Sequence, residues 1–220
     1  RIREQGGDLL LKHGDPVSII TELALEVGAS AVYWSRAVEP HCRRDETALA
    51  STLEAHGIGS EGFAGNLLFA PEMIQNRSGA PFRVFTPFWK HCLANGSKMR
   101  APTGPVSPEF STDLPDGDVL DDWGLLPTHS NWAAGLKETW QPGEAAGQAL
   151  LHKFVEKAPR YNTHRNFPAE DATSRLSPYL HFGNISAAQA YAAFSASGRE
   201  PDQGVAAFQR EVGWREFSAH

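Results

Sequence analysis

Between Thr173 and Ser177 three hydroxyls and a guanidinium fall within five residues, Thr173-Ser174-Arg175-Leu176-Ser177, with Pro178 next. Ser177-Pro178 reads as a helix N-cap followed by a first-turn proline. Free N–H groups at such a helix start, the positive end of the helix dipole and a planar arginine fork together suit a phosphate or pyrophosphate. The same residues also describe a capped helix whose hydroxyls face solvent, and their spacing leaves both readings open. A second constellation is Glu211, Trp214 and Arg215. On a helix, positions i, i+3 and i+4 share one face, so a carboxylate, an indole and a guanidinium would project together. An aromatic plane can stack on an extruded base, a carboxyl can hydrogen-bond its edge, and an arginine can hold the neighbouring phosphate. The plainer alternative is an intrahelical Glu/Arg pair beside a buried tryptophan.

The elements that must position these groups follow from periodicity. Leu9-Leu10-Leu11 predicts a short strand, Asp15-Pro16 a capped helix running through Val27, and Ala31–Trp34 the next strand, an order that makes a βαβ unit. A second helix is expected from about Arg43 to His56, with Leu49, Leu53 and His56 on one face and Gly57 as its stop. Such alternation favours a parallel α/β sheet. No opening strand precedes Leu9, so the sheet reads as incomplete. Pro87 is expected to start a short helix within Phe85–Leu93. Residues 101–130 carry five prolines, Pro102, Pro105, Pro108, Pro115 and Pro127, which disfavour regular structure and suggest a connector. From Pro142 the pattern turns helical, with Ala149, Leu150, Phe154 and Lys157 at helical spacing and Pro159 closing the segment. Ser186 can cap a helix to about Ser197, and Pro201-Asp202 can open another that runs to His220. The division that results is an α/β domain over 1–100, a linker over 101–138 and a helical domain over 139–220.

Composition narrows the class. Of 220 residues, 41% are hydrophobic and 21% charged, an ordinary globular balance. No run approaches ~20 consecutive apolar residues, and Arg1-Ile2-Arg3-Glu4-Gln5 lacks a secretory apolar stretch, so a cytoplasmic protein away from the membrane is expected. Cys42 and Cys92 are too isolated for a disulfide scaffold or a zinc site and read as buried small hydrophobes. The net charge of −6 argues against bulk capture of nucleic acid. It is unevenly placed, however. Residues 160–220 hold six acids and six bases, all arginines: Arg160, Arg165, Arg175, Arg199, Arg210 and Arg215.

Thr173-Ser174-Arg175-Leu176-Ser177-Pro178-Tyr179-Leu180, with Phe182-Gly183 and Ile185-Ser186, resembles the flavin-binding signature of the photolyase/cryptochrome family. Further segments match in family order: Trp140-Gln141-Pro142-Gly143-Glu144, then Tyr161 with Arg165 and Pro168, then Glu211-Val212-Gly213-Trp214-Arg215-Glu216-Phe217. Trp34 with Glu39-Pro40 and Phe85-Thr86-Pro87-Phe88-Trp89 extend the likeness into the first half. Relatives have a further strand and helix before this sequence and more helices after it, so the resemblance implies an internal piece lacking both ends.

The resemblance implies a Rossmann-like antenna domain joined by a long linker to an all-helical FAD domain, and a monomer. It places the FAD diphosphate on Thr173, Ser174, Arg175, Leu176 and Ser177, and sets Tyr161 and Phe208 against the flavin. It gives Glu211 and Trp214 catalytic roles on a flipped pyrimidine dimer, and it assigns Arg165 and Arg215 to DNA. The implied reaction is light-driven repair by a deoxyribodipyrimidine photo-lyase, a carbon–carbon lyase using reduced FAD, with the 220 residues inactive by themselves. Enzymes for (6-4) photoproducts tend to carry glutamine at the Glu211 position, and many signalling cryptochromes lose the tryptophan, so Glu211 with Trp214 favours cyclobutane dimers. A blue-light cryptochrome receptor without repair is the alternative. For an antenna chromophore, a folate or a deazaflavin, Ser35 and Val38 depart from the asparagine and tyrosine common in relatives.

Overall fold

The computed structural model describes residues 2–96, 99–104, 106–111, 113–126, 129–130, 132–196 and 202–220, with residues 195 and 196 described for their backbone alone. The chain forms two compact units. Arg1–Phe63 packs with Gly104–Trp140, and Ala64–Thr103 packs with Gln141–His220. Compactness thus cuts the chain differently from the sequence boundaries at 100 and 139, because residues 64–103 share a core with the late helices.

In the first unit, α1 (Pro16–Glu26) begins as expected: the Asp15 carboxylate accepts the Ser18 N–H at 2.8 Å and Pro16 occupies the first turn. Strand β1 (Ala31–Ser35) leads into α2 (Pro40–Ala55) and then β2 (Gly59–Phe63), which pairs with β1 in parallel, Ala31 opposite Gly59 and Ser35 opposite Phe63. Helix α2 starts three residues before the expected Arg43, because Pro40 is pre-set for a first turn. Gly57, at φ 72°, stops it, and His56 lies exposed at the cap and off the core face. Strand β2 carries one large apolar residue, Phe63, so no alternation announced it.

The strand expected at Leu9–Leu11 does not form. The Leu11 carbonyl accepts one N–H, from Asp118 at 2.7 Å, and no ladder continues from it. The βαβ unit is therefore β1–α2–β2, one element later than the sequence suggested. Its core is Ala24, Leu49, Leu53 and Ile58, with Trp34 packed beside them. The proline-rich segment has one 3-10 turn, Leu120–Trp123, among its described residues. It is anchored rather than loose, since Phe110 lies against Gly7, Trp123 sits 5.8 Å from the His13 ring, and Asp118 Oδ2 accepts the His13 N–H. Pro105 and Pro127 lie outside the described residues.

The second unit is helical. It comprises α3 (Phe85–Ala94), α5 (Glu144–Lys157), α6 (Tyr161–His164), α7 (Ser177–His181), α8 (Ala187–Ala196) and α9 (Gln203–Ala219), while the short α4 (Ala134–Thr139) belongs to the first unit. The buried stripe of α5 is Gly147, Leu151 and Phe154, so Ala149, expected on it, is exposed. Ser186 caps α8 reciprocally: its Oγ accepts the Gln189 N–H at 3.1 Å, and Gln189 Oε1 accepts the Ser186 N–H at 2.8 Å. Asp202 caps α9 by accepting the Val205 N–H at 2.8 Å. Ser197 and Pro201 lie outside the described residues. Cys92 is fully buried in α3 and Cys42 half-buried in α2, both as free thiols. Burial pushes the Cys92 thiol up to about 12, with the Glu216 carboxylate adding to the effect. Among the described residues no helix is long and apolar enough to cross a membrane.

Candidate functional site

The hydroxyl-rich loop enters α7 differently from the sequence reading. Ser177 is already the first helical residue, the cap position falls on Leu176, and no side chain caps the helix. Ser174 does the nearest equivalent, its Oγ accepting the Leu176 N–H at 3.4 Å. Leu176 is fully buried and anchors the loop, leaving Thr173, Arg175 and Ser177 exposed and Ser174 half-buried. Arg175 has φ 52°, the one positive value at a non-glycine among the described residues. A left-handed arginine costs on the order of 1 kcal/mol, a strain that concentrates at functional loops.

Opposite the loop stands the last half of α5. Lys153 and Lys157, one turn apart, join Leu150, Phe154, Asp171, Thr173, Ser174 and Arg175 around a cleft of about 70 Å³. Lys157 is ion-paired with Asp171, which holds that carboxyl below the usual range, and Arg175 Nε lies 3.6 Å from the same carboxylate. Two ammonium groups, a guanidinium and two hydroxyls thus converge from two elements. That donor set fits a diphosphate.

Phe154 joins the cleft to an aromatic cluster. Its ring centroid is 4.7 Å from Phe208, 5.5 Å from Tyr161 and 6.2 Å from Phe194. Phe208 and Tyr161 are both buried, and Phe208 lies wholly within this packing. Burial raises the Tyr161 phenol above its ordinary value. The Arg165 guanidinium sits 5.1 Å from the Tyr161 ring centroid and donates to Glu211 Oε1 at 2.5 Å. That bond raises Arg165 further, and the pair is about one-third exposed.

Along α9, Glu211 and Trp214 lie one turn apart, Glu211 half-buried and paired with Arg165 and Trp214 exposed. Trp214 is 47% exposed. Its indole stacks on Phe85 of α3, with centroids 3.8 Å apart and planes within 9°. Arg215, expected on the same face, turns inward, where its Nη1 donates to the Asn66 carbonyl at 2.8 Å. Beside it Glu216 is completely buried, and its Oε2 accepts the Leu68 N–H at 2.7 Å. Loss of water pushes the Glu216 carboxyl up to about 7 against the opposing pull of the Leu68 N–H, Arg215 and the Phe69 N–H.

The DNA photolyase family model matches residues 1–109. Deoxyribodipyrimidine photo-lyase of Agrobacterium fabrum is 36% identical over 222 residues, taking in all of this chain and 46% of that protein. The chain belongs to the DNA photolyase family. The crystal structure of a bacterial class III photolyase from Agrobacterium tumefaciens superposes with a TM-score of 0.92 at 36% identity, covering 100% of this chain and 46% of that one. Cryptochrome-1 of Arabidopsis thaliana is 27% identical across the whole chain and 34% of its own length. The chain therefore spans about half the length, or less, of these family members. Membership in this family implies a flavin-type cofactor.

Five participants were not singled out from the sequence as site residues. Lys153 and Lys157 carried a usable signal, two cations at i and i+4 on one helix face. Phe154 was read only as a member of a helical stripe. Phe85 and the Asn66 carbonyl carried none, because their partners lie more than a hundred residues away.

Proposed function

We propose that this chain carries the flavin-phosphate and substrate-recognition residues of an enzyme that repairs cyclobutane pyrimidine dimers in DNA under light. The observation that carries the reading is the pairing on α9 of a half-exposed indole, Trp214, with a carboxylate one turn away, Glu211, oriented by Arg165. Such a surface suits a damaged dinucleotide extruded from one strand better than an intact duplex, whose bases are stacked inside. Trp214 would stack on the dimer, and Glu211 would hydrogen-bond its edge and stabilise charge that develops there. Arg165 holds Glu211 in place through their hydrogen bond, and with Arg215 it is the cation proposed for the neighbouring phosphates.

FAD is the cofactor proposed for the cleft between α5 and the 173–177 loop, and when bound and reduced it supplies the light-excited electron donor. Thr173, Ser174 and Arg175, with Lys153 and Lys157 opposite, would hold its diphosphate, and the buried Leu176 fixes the loop that offers them. Tyr161 and Phe208 form the apolar wall behind, continuous with the cleft through Phe154. Ser35 and Val38 are both exposed and offer a hydroxyl and an isopropyl group where a folate or deazaflavin antenna would need polar contacts, so no antenna step is assigned.

The test uses the intact protein containing this sequence, chemically reduced and mixed with an oligonucleotide holding one cis-syn thymine dimer. Blue light is expected to restore two thymines, measured by chromatography of the digested strand, with no restoration in darkness. Trp214→Ala should reduce the yield at limiting substrate at least tenfold. Flavin binding without light-dependent restoration would support the receptor reading, which the likeness to Cryptochrome-1 keeps in play.

A further inference from the structure

We infer that Phe85 is a positioning residue for Trp214, and that Trp89, Phe85 and Trp214 form a fixed three-ring platform offering one indole face to a displaced base. The inference rests on the substrate role given to Trp214 above and adds to it the element that holds the indole in place. An indole nearly half exposed on a helix surface would ordinarily sample several rotamers, and freezing it on binding would lower affinity. Here two rings restrict it beforehand. Phe85 covers one face at 3.8 Å and 9°, and Phe217 meets the indole edge-on at 5.8 Å and 76°.

The platform has a rigid base. Phe85 lies parallel to Trp89, 6.4 Å away with planes within 10°, and Trp89 is 9% exposed. Trp89 in turn lies on the backbone of α9, at Gly213, where an added Cβ would stand 2.6 Å from a ring carbon. The residue directly before Trp214 is thus the one whose lack of a side chain admits the tryptophan beneath the stack. Helix α3 supplies the two middle layers, Trp89 and Phe85, and α9 the two outer ones, Gly213 and Trp214, so the indole's place depends on both helices. Since Phe85 occupies one face, a base can stack only on the other. The surface is a one-sided shelf and not a slot.

The experiment compares binding of the thymine-dimer oligonucleotide and of the same undamaged strand by the intact, flavin-loaded protein. Wild type, Trp214→Ala, Phe85→Leu, Phe85→Tyr and the double variant Phe85→Leu/Trp214→Ala are measured, with flavin absorbance and thermal melting as fold controls. Phe85→Leu keeps bulk but removes the ring plane. It should weaken dimer binding about three- to tenfold while undamaged DNA stays within about twofold, and Phe85→Tyr should match wild type. In the Trp214→Ala background Phe85→Leu should have no further effect. If Trp214→Ala abolishes dimer preference but Phe85→Leu binds like wild type, or weakens binding equally without Trp214, the positioning role is overturned and the substrate role of Trp214 survives. Dimer preference retained by Trp214→Ala overturns that substrate role and the platform with it. Should Phe85→Leu fail the fold controls, Phe85→Met carries the same expectations.

Discussion

At the scale of single residues, Glu216 shows how burial changes what a carboxylate does. It lies five positions after Glu211 on the same helix, yet Glu211 meets solvent and a guanidinium whereas Glu216 meets the N–H groups of Leu68 and Phe69. Its folded value near 7 lies above the ordinary 4.5, so the folded state holds a proton that the unfolded state releases. The stabilisation this proton provides is complete below about 4.5 and is lost as pH rises through about 7. Denaturant unfolding at pH 5 and pH 8 should therefore show a pH-dependent loss of stability that Glu216→Gln removes, since glutamine accepts the same N–H without ever ionising. Glu216→Ala should instead cost about 1–3 kcal/mol at pH 5, where the Leu68 N–H loses its buried acceptor.

At the scale of elements, α9 is the organiser of the second unit. It meets α6 through Arg165 and Glu211, meets α3 through Trp89 and Phe85, and grips residues 66–69 through Arg215 and Glu216. Its start depends on a close approach. A Cβ at Gly204 would stand 2.0 Å from the Ala158 carbonyl oxygen and 2.6 Å from that of Pro159. Both obstacles are backbone and cannot rotate away. Gly204→Ala is expected to destabilise the protein by about 3 kcal/mol or more despite its better helix propensity, a result thermal melting would check. A neutral outcome would mean that α9 does not seat against the 158–160 turn.

At the scale of the whole molecule, charge bears on the proposed encounter with DNA. These 220 residues carry a net charge of −6, and Arg165 and Arg215 also hold Glu211 and the Asn66 carbonyl, so this stretch supplies little general electrostatic affinity beyond those two proposed contacts. Two phosphate contacts, from those two arginines, predict a slope of about −1.8 in log affinity against log salt, hence roughly a tenfold loss between 50 and 200 mM salt. Filter binding with undamaged duplex would measure it. A much steeper slope would point to cations other than these two, and Arg165→Ala should flatten the measured slope by about 0.9.

The family and the starts of the long helices α5, α8 and α9 were legible in the residue order alone. Those features are local. A cap, a proline at a first turn or a run of hydroxyls acts within a few positions, so Asp15, Ser186 and Asp202 could be read as helix starts before any fold was known. The placement of Glu211 and Trp214 one turn apart on a helix likewise followed from local pattern. Which neighbours those groups have is set by packing between distant segments. That packing moved the βαβ unit one element along, because pairing in a parallel sheet is a contact between distant segments and Leu9–Leu11 found no ladder. It turned Arg215 inward to Asn66 and buried Glu216, although adjacent charges on one helix look alike in sequence. It also laid Phe85 beneath Trp214, since stacking depends on where two helices cross, and that is set by the packing of Trp89 against Gly213.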